Sequence, residues 1–279
     1  MAVAELASQQ KLLVVVVPSS ASAAALEREL PLFSSAPLNI LTLPDWETLP
    51  YDNFSPHQDI VSERLATFHQ LQDIATGILI VPITTLMQRT PPVHYVAGNS
   101  LVLDVGQALD SKTLIHNLTL NGYRAVDTVY EHGEYAVRGS LLDIFPMGSQ
   151  APYRIDLFDA EIETLRSFDP ETQRTINKVE SVRLLPAREF PLTEEGIRRF
   201  KLNWYRKFDG DPEACPLFNE ICAGRVPGGA EYFLPLFFDS CGTVFDYLPE
   251  HAALITIGDH YQAASQFWTE ITSRHTEYG

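Results

Sequence analysis

Cysteine is scarce and unpatterned in this chain: Cys215, Cys222 and Cys241 are the only three in 279 residues. They form no CxxC pair, and an odd number leaves at least one unpaired. A disulfide framework and a cysteine-built zinc site are therefore not expected, and a reducing, cytoplasmic compartment fits. Long apolar runs are missing too. The strongest, Leu12 to Val17, falls far short of the roughly 20 residues that span a bilayer. The opening MAVAELASQQ lacks a basic segment leading into a long apolar stretch, so no secretory signal and no membrane contact are expected. Positive charge is the third shortage, with 20 Lys plus Arg against 36 Asp plus Glu and a net charge of −16. Such a surface repels phosphate backbones, which makes duplex DNA a poor primary ligand while leaving room for a local basic patch.

The chemistry-bearing motifs are absent as well. No GxxxxGK[ST] phosphate cradle joins a strand to a helix; the first strand ends in VPSSAS, without glycine or lysine. GRVPGGAEY has glycines but neither a preceding strand nor a GK[ST] ending, and reads as a surface turn. There is no GxGxxG fingerprint, no HExxH and no GxSxG elbow. His57 and His132 read as turn or surface residues. Asp156, Asp159, Glu161 and Glu163 crowd one hairpin, where a solvated charge run outweighs a Mg²⁺ site. The expectation is a non-enzyme with no cofactor, no metal and no catalytic residue.

What is present is the raw material of a folded chain of about two domains: 45% apolar and 10% aromatic residues. KLLVVVVPSS is a β-branched run suited to a strand buried on both faces. SASAAALERELPLF follows as a helix, with Ser20 or Ser22 as candidate N-cap, and LNILTLP as a second strand. VSERLATFHQLQ reads as a helix, and GILIVPITTLMQR as a strand entering a helix capped by Thr84 or Thr85. This alternation implies an α/β layer. After PPVHYVAGNS the pattern changes. Asp110 or Ser111 caps SKTLIHNLTLNG, with Gly122 as its stop, and short strands with polar turns follow: VDTVYEHGEYAVRGSLLDIF, PYRIDLF, ETLRSFD and VESVRLLP. EEGIRRFKLNWYRKF, a strand near AALITIGD and a last helix, YQAASQFWTEITSRH, then complete the α/β layer. The expected fold is α/β: a parallel-sheet domain interrupted by an inserted α+β antiparallel unit. The expected boundaries are 1–98, 99–186 and 187–279.

Two segments stand out. LPDWETLPYDNFSPHQD sets Trp46, Tyr51 and Phe54 among prolines and acids, either to stack on a base or to pin a long loop, with Arg64 the one, distant arginine. In PYRIDLF, alternation puts Tyr153, Ile155 and Leu157 on one face and Arg154, Asp156 and Phe158 on the other. An arginine beside an outward phenylalanine is the composition of a protein-docking patch. The alternative for Arg154 is a cross-strand ion pair with an acid of the hairpin.

DWETLPYDNFSPHQDIVSERLATFHQL, ILIVPITTLMQR, EHGEYAVRGSLLDIFPMGS and PYRIDLFDAEIETLRSFDPETQRT closely resemble the N-terminal UvrB-like module of the transcription-repair coupling factor family, and more distantly UvrB itself. The likeness runs from about Leu12 to the end. It implies a helicase-like domain, 1a and 1b, with domain 2 inserted, and a non-catalytic adaptor that recruits UvrA through residues 99–186. By the resemblance Arg138, Arg154 and Phe158 are the UvrA-binding residues, with Arg166 a further candidate. Parity leaves Arg138 undetermined, because Gly139 is a candidate bulge. RNA polymerase and DNA would be reached only through other domains of an ATP-dependent translocase. UvrB's Walker A site and damage-probing β-hairpin have no counterpart here, since YDNFSPHQD passes almost directly into a helix. The chain is expected to be a piece of a longer protein. The competing expectation is a degenerate helicase lobe that binds single-stranded nucleic acid.

Overall fold

The computed structural model describes residues 11–34, 37–158 and 160–278. The MAVAELASQQ segment and Asp159 lie outside them. The first element, β1 (Leu12–Val17), is buried at every position. It sits inside a parallel sheet ordered β12–β1–β3–β2, with β2 (Ile40–Thr42), β3 (Gly77–Pro82) and β12 (Ala253–Thr256). All three pairings are parallel. Period-two side chains explain the unbroken apolar run. Leu13, Val15, Val17, Ile78 and Ile80 pack on one side with Ala23 and Leu30, while Leu12, Val14, Val16, Leu79 and Val81 enter the larger core on the other.

Helix α1 (Ser20–Glu29) covers the first side. Its cap is Ser19 and neither the expected Ser20 nor Ser22, because Ser19 is the extended residue whose side chain meets the N–H of Ser22. On the other side lies α2 (Gln58–Leu71), capped by His57. Two short helices follow, α3 (Ile83–Leu86) and α4 (Val93–Gly98). The residue before α3 is Pro82, which makes no side-chain cap, so neither Thr84 nor Thr85 caps the helix. Thr85 instead turns its hydroxyl to Asp45 Oδ2 at 3.4 Å.

The intervening chain builds β4 (Leu101–Asp104), α5 (Ser111–Leu120), β5 (Arg124–Ala125), β6 (Glu134–Arg138), β7 (Leu141–Ile144), β8 (Tyr153–Phe158), β9 (Glu161–Phe168), β10 (Thr175–Val179) and β11 (Ser181–Leu184). Asp110 caps α5 as expected, accepting from Thr113 N. Strands β6 to β10 form the antiparallel meander, in the sheet order β10–β9–β8–β7–β6–β5. Three details depart from the expected pattern. β5 joins β6 in parallel. The TINKV segment supplies the edge strand β10. The VESVRLLP strand leaves the meander and pairs β11 with β4 in a two-stranded antiparallel ribbon. Its partner lies some 80 residues upstream, beyond the reach of local patterning.

Helix α6 (Glu194–Lys207) and α7 (Pro216–Cys222) pack Phe200, Trp204 and Phe218 together, and Phe200 meets Phe237. α8 (His260–Tyr278) follows β12 and buries no residue. One continuous core cluster runs from β1 through the antiparallel sheet to Tyr247. Its seam is polar as well as apolar. Arg64 of α2, wholly buried, donates from Nε to Glu189 at 2.6 Å and from Nη1 to the Pro44 carbonyl at 2.6 Å. Trp46 Nε1 reaches the same carboxylate at 3.0 Å, and the guanidinium lies 5.0 Å from the Trp46 ring centroid. A charge this deep is tolerated because every nearby partner is aimed at it. The glycines of GRVPGGAEY also have a packing reason. A Cβ on Gly228 would meet the Asn53 carbonyl at 2.3 Å, so the pair is pressed against the aromatic loop.

Candidate docking face on the antiparallel sheet

β8 alternates as its sequence predicts. Ile155 is buried, Tyr153 and Leu157 pack against the core, and Phe158 is 65% exposed on the opposite face. The register shift between Asp156 and Leu157 does not undo this, since Leu157 pairs with core Ile162 and Phe158 with Glu161. Arg138 is settled by the β6–β7 pairing. Its register with Leu141 is regular, and Leu141 in turn faces Asp156. Gly139 is the first residue of a two-residue hairpin turn with φ +64°, so it closes the turn and makes no bulge. Arg138, Arg154, Phe158 and Arg166 therefore share the outer face of the sheet.

The two principal arginines differ in freedom. Arg154 is held by Asp143, directly opposite on β7, through Nε–Oδ1 at 2.7 Å and Nη2–Oδ2 at 2.8 Å. Those hydrogen bonds push its pKa up against the effect of burial. The guanidinium also lies 4.9 Å from the Phe168 ring centroid. The bidentate pair is the cross-strand bridge weighed for Arg154 from sequence, with its acid on β7. Arg138 is exposed and donates only to the Asp127 carbonyl at 2.7 Å and to Thr128 Oγ1 at 3.2 Å. Its charge has no carboxylate partner among the described residues.

A loop over residues 126–132 covers one end of this face. Val129 packs there with Ala136, Phe145 and Phe168. Gln173 donates to the Val129 carbonyl at 3.1 Å and anchors the cover. His132 lies in a turn, one of the two placements expected for it, and acts there as a clamp. Its side chain is 15% exposed, with Nδ1 2.7 Å from Asp59 and Nε2 2.8 Å from the Ser149 carbonyl.

The aromatic loop is largely committed. Trp46 is buried and packs edge-on against Tyr232 at 5.4 Å. Tyr51 bonds His275 of α8 at 2.8 Å, and Asp52 accepts from Arg274 at 2.7 Å. Phe54 remains 58% exposed. With Trp46 inside and Tyr51 bonded to α8, pinning is the role these side chains perform. Asp156, Glu161 and Glu163 form no metal-holding group with other described residues, and Asp159 is outside the description. A small cleft of about 220 Å³ between α5 and the β6–β7 turn is lined by Leu109, Ile115, Val137 and Leu157, with Asp110 at its rim.

Residues 101–190, which carry this face, match the family model described as the UvrB interaction domain. The class is thus a UvrB-type interaction sheet set beside a parallel α/β layer. Over 99% of its length the chain is 43% identical to the transcription-repair-coupling factor of Escherichia coli (strain K12), covering 24% of that protein. The factor of Haemophilus influenzae (strain ATCC 51907 / DSM 11121 / KW20 / Rd) is likewise 43% identical over 99% of the chain, and that of Myxococcus xanthus 35% identical over 85%. The likeness to the transcription-repair coupling factor family is borne out along the chain, which spans about a quarter of the length of the two more similar curated relatives.

Proposed function

We propose that this chain is a docking module that recruits UvrA by presenting the surface UvrB presents, and so links stalled RNA polymerase to nucleotide excision repair. The contact lies in an inserted domain over residues 99–186, carried by α/β parts over 1–98 and 187–279, and the module itself performs no catalysis. RNA polymerase and DNA are engaged by other parts of the longer protein. One observation carries the reading. Phe158, a large apolar side chain, stands 65% exposed on the same sheet face as an arginine whose charge is unpaired among the described residues. That combination matches the anchors of protein interfaces, and it falls inside residues matched to the UvrB interaction domain. Phe158 supplies the apolar anchor and Arg138 an available charge, while Arg154 presents a guanidinium already fixed in orientation by Asp143.

Co-elution with purified UvrA on size exclusion tests this directly. The chain is expected to move into the UvrA peak, and Phe158→Ala to stay behind. Failure of the unaltered chain to co-elute at micromolar concentration removes the reading.

A further inference from the structure

The outer face carries more positive charge than Arg138 and Arg154 supply. The cross-strand register lines up one row from β7 to β10: Asp143 opposite Arg154, Arg154 opposite Arg166, and Arg166 opposite Lys178. Three cations thus stand side by side on adjacent strands about 4.8 Å apart, with a single acid at one end. Asp143 is consumed by Arg154. Among the described residues neither the Arg166 nor the Lys178 side chain has an ion-pair or hydrogen-bond partner, and the buried Nε of Arg166 is left without an acceptor. Like charges directly opposite in a sheet weaken it. In a chain of net charge −16, a cation row built at such a cost points to a negative group brought from outside.

Resting on the docking function proposed above, we infer that Arg166 and Lys178 form a second anion-receiving point of the docking face, which takes an acidic side chain of the protein partner. Lys178 is exposed on the edge strand and offers a mobile ammonium. Arg166 is half-buried and stands directly across from Arg154 in the register. An arriving carboxylate would lie between them, accept from the Arg166 guanidinium and the Lys178 ammonium, and relieve the repulsion along the row. A carboxylate fits better than a nucleic-acid strand. The row is short, and the surrounding charge repels a polyphosphate. The contact reaches the far edge of the sheet from Phe158, so the docking footprint extends across β8, β9 and β10.

The test measures UvrA affinity of the whole chain carrying Lys178→Glu, Lys178→Arg or Arg138→Glu, together with melting temperature. Lys178→Glu is expected to weaken binding about tenfold, or ~1.4 kcal/mol, and to flatten its salt dependence. Its melting temperature should rise by about 1–2 °C, because a repulsive neighbour becomes an attractive one. Lys178→Arg should keep wild-type affinity. Unchanged binding by Lys178→Glu, while Arg138→Glu loses affinity, overturns this inference and leaves the docking function standing. Loss of binding with a lowered melting temperature also overturns it, by making Lys178 a structural residue. Capture of a thymidine oligomer that Lys178→Glu abolishes reassigns the row to phosphate and overturns it too. A chain that does not bind UvrA at all removes both readings.

Discussion

The guanidinium of Arg154 and the carboxylate of Asp143 meet in a two-point pair across β7 and β8, Nε to Oδ1 at 2.7 Å and Nη2 to Oδ2 at 2.8 Å. Asp143 is 3% exposed. A substitution at Arg154 therefore strips a buried carboxylate of its counter-charge as well as altering the docking face. Arg154→Ala is expected to lower unfolding free energy by about 2 kcal/mol, and Arg154→Glu by more. Urea denaturation checks this. A variant with unchanged midpoint and slope would show the pair to be stabilising nothing. Loss of partner binding by Arg154 variants must be read against that loss of stability.

Phe158 and Arg138 are the cleaner probes. Phe158 is exposed, and Arg138 makes only two hydrogen bonds to the 126–132 loop. Phe158→Ala is expected to stay within about 0.5 kcal/mol of the wild-type stability. Its circular-dichroism melt should overlay the parent curve; a large shift would mean that Phe158 packs inside the fold.

The buried seam behaves in the opposite way. Glu189→Ala leaves Arg64 charged and wholly enclosed, and removes the acceptor of Trp46 Nε1. A loss of about 3–5 kcal/mol is expected, or failure to fold at 37 °C. Refolding yields and chemical denaturation measure it. A near-neutral Glu189→Ala would mean that Arg64 finds water.

The attachment of α8 to the aromatic loop should depend on acid. The Leu49 backbone N–H and then the Arg274 guanidinium hold the Asp52 carboxyl below its ordinary value. A depressed carboxylate stabilises the fold above its unfolded pKa and loses that contribution as pH falls through the lower, folded value. Amide protection in the last turns of α8 is therefore expected to persist from neutral pH down to about 4 and to decline below it. In Asp52→Asn the protection should be low at every pH. A wild-type α8 whose protection is flat between pH 6 and 3 contradicts this.

Local pattern revealed much of the fold for physical reasons. The β1 run had to be buried on both faces, and period two in YRIDLF put Arg154 and Phe158 outward together. Three features needed the tertiary structure. The partner of Arg154 is an aspartate hidden inside the apolar run LLDIF, where it reads as a core position. Arg64 forms its ion pair with Glu189, 125 residues away. The VESVRLLP strand alternates like any edge strand, and only the distant β4 draws it from the meander. The row through Arg166 and Lys178 is likewise a property of register, since the two residues fall on separate strands.

The outer face of the antiparallel sheet as the UvrA-binding surface is tested most directly by calorimetric titration of UvrA with the chain and with its Arg138→Glu/Phe158→Ala double variant. Saturable one-site binding is expected of the parent and at least tenfold weaker binding of the variant, with its melting temperature unchanged. Equal affinity of the two chains for UvrA would contradict it.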